Sequence, residues 1–236
     1  MKSIDKIKGT YERRLEEEPK AQVSDAVVRR LPRYHRYLGE LLRTNKLRIS
    51  SSELSRLMGV TASQIRQDFN CFGGFGQQGY GYNVKYLYKK ISEILGVDQG
   101  YRAVIVGAGN LGRALAATHM FERRGVKTVA LFDNNPEVIG TVYNGLEVHD
   151  VNTLGAFCRE KNIHIGVLTV PKESAIECAE VMVEAGVTGL WNFANMELSL
   201  SAKYNDHGVI VENVHMGDSL MTLCFAMKTM EDKSGE

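Results

Sequence analysis

The run Ala103-Val104-Ile105-Val106-Gly107-Ala108-Gly109-Asn110-Leu111-Gly112-Arg113-Ala114-Leu115 constrains this chain more than any other stretch. Four apolar residues rich in β-branched types predict a buried strand, and the apolar spacing after the glycines predicts a helix. Between them, Gly107 suits a tight turn, Gly109 lets the backbone approach a pyrophosphate, and Gly112 permits close helix packing. The helix N-terminus then offers free amides to a phosphate. A second predicted strand, Thr128-Val129-Ala130-Leu131-Phe132, ends in Asp133, 21 residues beyond Gly112. An acid there can bind both ribose hydroxyls and would repel a 2′-phosphate, which favours NAD over NADP. The expected cofactor-binding residues are therefore Gly107, Ala108, Gly109, Asn110, Leu111, Gly112, Asp133 and Asn134, and the expected ligand is NAD+ or NADH.

Further strands are predicted over 163–170, 189–194 and 209–214, separated by helices over 152–161 and 172–185. Alternating strands and helices imply an α/β fold with a Rossmann-like, doubly wound parallel sheet. In such sheets ligands lie at the carboxyl ends of the strands. That places Thr169, Val170 and Pro171, with Asn192, Phe193 and Ala194, on the far wall of the pocket, although ordinary turn chemistry accounts for either group equally well.

A whole-chain charge of +1 conceals a division: residues 1–90 carry 18 Lys and Arg against 9 Asp and Glu, and residues 91–236 carry 11 against 19. A basic module at +9 suits a polyanion, and the acidic remainder at −8 has another task. Within the basic part, Ser24-Asp25 can cap a helix over 24–44, which Pro32 should kink or mark as a late first turn. Arg29, Arg30, Arg33, Arg36 and Arg43 populate its other faces, where a solvated surface and phosphate contact are both open readings. Ser50 and Glu53 have the spacing of a capping box, Gly59 can end that helix, and Thr61 with Gln64 offers a second box. Two short helices across such a turn are a helix-turn-helix, and Thr61, Ser63, Gln64, Arg66 and Gln67 are polar where a recognition helix meets base edges. Residues 71–82 hold five glycines and four aromatics, a composition suited to a hairpin wing rather than a helix. A hairpin that merely covers the core has the same composition.

Other functions are disfavoured. No apolar run approaches the ~18–20 residues of a membrane span, and residues 1–20 lack the apolar stretch of a signal peptide, so a cytoplasmic location is expected, with no membrane partner. Cys71, Cys158, Cys178 and Cys224 form no Cys-x-x-Cys pair; four ordinary buried thiols and no metal site are expected. An NAD-dependent oxidoreductase would use the same fold. However, Tyr86 and Lys90, with Tyr-x-x-x-Lys spacing, precede the glycine loop, and the histidines are scattered. A regulator answering to coenzyme A or NADP is the other alternative.

Taken together, Arg30-Leu31-Pro32, Ser51-Ser52, Val60-Thr61-Ala62, Gln64-Ile65-Arg66-Gln67-Asp68-Phe69, Phe72-Gly73, Phe75-Gly76, Gly79, Gly81-Tyr82, the glycine loop, Leu168-Thr169-Val170-Pro171, Asn192-Phe193-Ala194 and Glu212-Asn213-Val214 resemble the Rex family of redox-sensing transcriptional repressors. The resemblance covers residues 24–230. It implies a winged-helix DNA-binding domain over 24–98, a Rossmann NAD(H) domain over 99–216, and a dimerisation helix and tail over 217–236; residues 1–23 lie outside it, and their mixed charges suggest a mobile arm that touches DNA or nothing. DNA contacts would fall to Arg30, Ser51, Ser52, Thr61, Ala62, Ser63, Gln64, Arg66, Gln67, Gln78 and Tyr80. It further implies a non-enzymatic homodimer with exchanged C-terminal helices, which holds operator DNA with NAD+ or without NADH and releases it on binding NADH. Leu220, Leu223, Phe225, Ala226 and Met227 supply an apolar surface for that helix, which could equally fold back on its own subunit. Three positions depart from the family pattern. Gln78 replaces a basic wing residue, which weakens groove electrostatics or alters sequence preference. Thr118 and His215 replace a tyrosine and an aspartate associated with sensing the nicotinamide. Histidine changes charge near neutral pH, so altered redox discrimination or an added pH response is expected.

Overall fold

The computed structural model describes residues 24–72, 76–77, 81–198, 200 and 208–234, and the chain divides into two compact units, Met1–Gly96 and Val97–Glu236. The first contains α1 (Asp25–Val28), α2 (Leu31–Arg43), β1 (Arg48–Ile49), α3 (Ser51–Met58), α4 (Ala62–Asn70), β2 (Gly76–Gln77), β3 (Gly81–Asn83) and α5 (Val84–Leu95). The helix expected over 24–44 is broken in two at Arg29 and Arg30. Pro32 falls in the first turn of α2, where its missing N–H would have had no helical partner.

The helix-turn-helix forms as its caps dictate. Ser50 Oγ accepts the Glu53 N–H at 3.1 Å while Glu53 Oε2 accepts the Ser50 N–H at 2.9 Å. A hydrogen bond from Lys46, then those from Ser50, hold the Glu53 carboxyl down at about 2. Gly59 ends α3 at φ 64°, in the left-handed conformation. The second predicted box is only half built. Thr61 Oγ1 accepts the Gln64 N–H at 3.1 Å, but the Gln64 amide turns to Asp68 instead, at 2.8 Å. Leu31, Tyr34, Leu38, Leu54, Ile65, Phe69, Leu87 and Ile91 are fully buried between the helices, each side chain worth roughly 1.5–3 kcal/mol. Strands β1, β3 and β2 form an antiparallel sheet in that order. Tyr82 of β3 meets Phe69 of α4 edge-on at 5.0 Å, which ties the wing strand to the second helix of the motif.

The second unit runs β4 (Tyr101–Val106), α6 (Asn110–Ala117), β5 (Val126–Asp133), β6 (Val142–Tyr143), β7 (Leu146–Asp150), α7 (Leu154–Lys161), β8 (Ile165–Leu168), α8 (Lys172–Glu184), β9 (Gly189–Asn192), β10 (Ile210–Asn213) and α9 (Met216–Ser234). The sheet order is β10-β9-β8-β4-β5-β7-β6, parallel throughout except for β6. This is the doubly wound sheet that the strand pattern predicts. Its connectivity reverses between β4 and β8, the switch point at which such sheets bind ligands. The hairpin of β6 and β7 was not foreseen. Its signal was the Asn144-Gly145 pair, at φ 51° and 78°, the two left-handed positions of a tight hairpin turn.

Among the described residues no helix is long and apolar enough to cross a membrane, and no group of side chains is arranged to hold a metal ion. The expectation of four buried thiols is corrected. Cys158 and Cys178 are buried, with burial pushing them up to about 12 and about 11, whereas Cys71 and Cys224 are exposed. Cys71 caps the end of α4 at the surface, and Cys224 sits on an exposed terminal helix.

Candidate recognition helix and nucleotide site

On α4, Ser63, Arg66, Gln67 and Asn70 are exposed at i, i+3, i+4 and i+7, one polar stripe along the helix. Thr61 is exposed at its start and Ala62 is half-buried. Ser51 and Ser52 open α3, and Arg66 Nη1 donates to Ser51 Oγ at 3.2 Å, so the two helix starts share one surface. Asn70, absent from the sequence-based set, completes the stripe; helical spacing from Ser63 was the available signal. Gln78 and Tyr80 lie outside the described residues.

Arg30 and Gln64 are placed otherwise. Both are bound to Asp68, which is fully buried on the inner side of α4. Arg30 Nε and Nη2 donate to its two carboxylate oxygens at 2.7 and 2.8 Å, Tyr34 Oη donates at 2.8 Å, and Gln64 Nε2 at 2.8 Å. Burial pushes the Asp68 carboxyl up, but the bonds from Arg30, Gln64 and Tyr34 outweigh it and hold the group below its ordinary value. Tyr34 is driven well above its usual range, by burial first and then by its bond to Asp68.

In the second unit a cavity of about 470 Å³ lies at the carboxyl ends of β4, β5 and β8. Of the predicted residues it is lined by Gly107, Gly109, Asp133, Asn134, Thr169, Val170 and Pro171. The glycines are there for different reasons. Gly107 sits at φ 103°, and a Cβ on it would lie 2.7 Å from the Thr169 carbonyl oxygen. A Cβ on Gly112 would collide with the Gly107 carbonyl oxygen, whereas one on Gly109 would meet nothing within 4 Å. Gly109 thus opens a space beside the start of α6, where no side chain caps the first-turn amides that Asn110 and Leu111 begin. The residues present therefore fit a pyrophosphate seated on the helix. Asp133 accepts the Ala108 N–H at 2.7 Å and the Asn135 N–H at 2.9 Å, so it shapes the glycine turn while it stands at the cavity rim. Ala108 itself is buried. Thr169 Oγ1 shares its proton between the Val106 and Gly107 carbonyls, at 3.0 and 2.9 Å, locking β8's end to the turn.

Asn192, Phe193 and Ala194 do not line this cavity. Asn192 is buried, with Nδ2 donating to the Met196 carbonyl at 3.0 Å and to Asn213 Oδ1 at 2.8 Å, while its Oδ1 accepts the Ala194 N–H at 3.0 Å. The Phe193 ring stacks edge-on against Trp191 at 4.7 Å. Asn192 pins the turn after β9. Ser174, Glu177, Cys178 and Val181 of α8 line the cavity in their place. Their helical spacing just beyond Pro171 was legible, but nothing in the sequence said which face of α8 looked inward. Of the two divergent positions, Thr118 spends its hydroxyl on its own helix, donating to the Leu115 carbonyl at 2.9 Å. His215 Nε2 lies 2.9 Å from Glu197 Oε1, and Glu197 Oε2 accepts from Asn213 Nδ2 at 2.7 Å.

A helix-turn-helix with a wing strand, on the same chain as a nucleotide-binding doubly wound sheet, defines a ligand-responsive transcriptional regulator. Residues 22–70 match the family model described as "Putative DNA-binding protein N-terminus", and residues 98–196 match the CoA binding domain. The chain is similar to the redox-sensing transcriptional repressor Rex of Clostridium tetani, 47% identical over 213 residues, covering 90% of this chain and 99% of that protein. It is also similar to Rex of Clostridioides difficile, 53% identical over 206 residues, with 87% and 96% covered. Among solved structures it is similar to RSP in complex with β-NAD+ and operator DNA, at a TM-score of 0.80 and 49% identity, covering 91% of this chain and 98% of that one. RSP in complex with β-NADH gives a TM-score of 0.81 at 46% identity, with the same coverage. The chain belongs to the Rex family of redox-sensing transcriptional repressors. Its relatives are named as repressors, which sets aside the oxidoreductase reading.

Proposed function

We propose that this chain is a cytoplasmic transcriptional repressor that reads the balance of NADH and NAD+, gripping operator DNA with NAD+ or without NADH and releasing it when NADH binds. The observation that carries this reading is the uncapped start of α6 over a cavity with Asp133 at its rim, in a chain of this family. The bound dinucleotide supplies the redox difference through its nicotinamide. The chain's own residues seat the pyrophosphate on the α6 amides, hold the ribose through Asp133, and present Ser63, Arg66, Gln67 and Asn70 to DNA. Ser51, Ser52 and Thr61 stand in the same interface by their place in the motif, and Gln78 and Tyr80 are assigned to it by the family resemblance alone. On a single chain, Leu220, Leu223, Phe225 and Met227 of α9 are exposed, which supports a homodimer with exchanged C-terminal helices.

A DNA-binding titration against a promoter fragment at fixed salt, with NAD+, NADH or no nucleotide, tests the proposal. Release by NADH alone is expected. Binding indifferent to both nucleotides would overturn the redox mechanism and leave the nucleotide fold sensing another ligand. Asp133→Ala removes both the ribose acceptor and the carboxylate that shapes the turn. It is expected to weaken NADH about ten- to a hundredfold, the usual loss when a charged hydrogen-bond partner is removed. Calorimetry on the variant measures this, and an affinity within twofold of the parent's discards the role.

The His215–Glu197 contact supports an altered redox discrimination. The NADH-to-NAD+ affinity ratio is expected to differ at least about fivefold between this chain and His215→Asp. Equal ratios in the two proteins would show that position 215 senses nothing.

A further inference from the structure

Four donors converge on the two oxygens of Asp68, two per oxygen, and the carboxylate is buried. An ionised carboxylate has about four lone-pair sites, so its capacity is filled. The donors come from three places in the fold: Arg30 from the break between α1 and α2, Tyr34 from α2, and Gln64 from the first turn of α4. Arg30 uses the Nε and Nη2 edge of its guanidinium, the same fork that would grip a guanine or a phosphate. Reading adenine needs the oxygen and the nitrogen of an amide together, and the bond from the Gln64 nitrogen to Asp68 takes one of its two hydrogens and turns the amide toward the brace.

We infer that Asp68 is a positioning residue for operator recognition. Together with Arg30, Tyr34 and Gln64 it forms a brace that sets the pose of α4 against α2, so that Arg30 and Gln64 orient the recognition helix and neither reads DNA. Reading then falls to the outward stripe of Ser63, Arg66, Gln67 and Asn70. The inference rests on the operator-binding reading above and refines which residues serve it. It also explains why Arg30 and Gln64, both suited to DNA contact, turn toward a buried carboxylate. Ile65 and Phe69 bury the inner face of this nine-residue helix, and the saturated ionic knot adds a directional anchor that apolar contact would not.

Two substitutions in the full chain separate the brace from direct contact. Duplexes enriched by the parent chain from a randomised pool supply the operator, and its single-base variants supply the profile. Gln64→Met keeps the length of the side chain and removes its amide. The brace predicts weaker binding to every single-base variant by one common factor, leaving the profile's shape unchanged. A loss of discrimination of about ten- to a hundredfold confined to one base pair would show that Gln64 reads a base and would overturn the inference.

Arg30→Lys keeps the charge and removes the fork. Lysine serves well at a phosphate but cannot span both carboxylate oxygens. The brace predicts that the ratio of operator to random-duplex affinity falls about tenfold, measured on folded protein well below its melting temperature, while random-duplex affinity and its salt dependence stay as they were. A ratio within twofold of the parent's overturns the inference, because a phosphate contact or a role in stability alone would both leave it there. Should Arg30→Lys fail to fold, the Gln64→Met profile decides. A parent chain that enriches no duplex overturns the operator-binding reading itself, a result distinct from either variant's.

Discussion

Gly112→Ala is expected to abolish dinucleotide binding and to destabilise the second unit, whereas Gly109→Ala, three residues earlier, is expected to lose affinity with the fold intact. The difference follows from what surrounds each position. A methyl on Gly112 is driven into the Gly107 carbonyl oxygen, and that oxygen cannot retreat because Thr169 Oγ1 is bonded to it at 2.9 Å. Gly107 itself is held by its own N–H, which donates to the Phe132 carbonyl at 2.8 Å. The clash must be relieved by moving α6 away from β4, which costs more than about 3 kcal/mol in overpacking strain and removes the amides from the ligand. A methyl on Gly109 meets no protein atom within 4 Å, so it strains nothing in the free chain. It occupies the space through which a pyrophosphate would approach, and about 1–3 kcal/mol of lost binding corresponds to roughly five- to a hundredfold in affinity. Thermal melting and NADH titration of both variants check the pair. Equal stability losses would mean that the two glycines serve the fold alike and that the open space beside Gly109 is not the ligand's.

The same contrast shows what a sequence can and cannot disclose about such a site. Strand, turn and helix around Gly107, Gly109 and Gly112 were legible because each is specified locally, by apolar runs and by residues that a backbone conformation demands. Asp133 was legible because it lies at a fixed distance down a repeating unit. Asn192, Phe193 and Ala194 sit at the end of a strand as ligand-lining residues do, and the Asn192 side chain also pins the turn that follows. Only the partner at Asn213, 21 positions further on, reveals that. Arg30 and Gln64 show the same limit. Their chemistry suits DNA, but a buried carboxylate 38 residues from one and 4 from the other claims both. Polar residue types announce that hydrogen bonds will be made; the fold decides with whom.

That carboxylate, with Glu53, is also expected to make the first unit sensitive to acid. Asp68→Asn keeps the shape of the side chain but faces the Arg30 guanidinium with a neutral amide. Breaking a buried ion pair from one side costs about 3–5 kcal/mol. The Arg30 side chain is 28% exposed and water recovers part of its hydration, so about 2–4 kcal/mol is the expected loss. For a unit of this size that lowers the melting temperature by roughly 10–25 °C. The pH dependence has a definite sign. Because the folded carboxyl lies below its unfolded value of about 3.9, the contribution is fully present at neutral pH. It is lost as pH falls from about 5 down through the folded value. The parent's first unit should therefore lose stability steeply in acid, and Asp68→Asn, already lacking the contribution, should show a shallower acid limb. Trp191 is the chain's single tryptophan and lies on β9 of the second unit, so its fluorescence follows that unit alone, while far-ultraviolet circular dichroism follows both. A transition seen by dichroism and silent in Trp191 fluorescence belongs to the first unit. If that transition stands at the same temperature in the parent and in Asp68→Asn at neutral pH, the four bonds to Asp68 contribute nothing net to the fold, and their only remaining role would be to set the pose of α4.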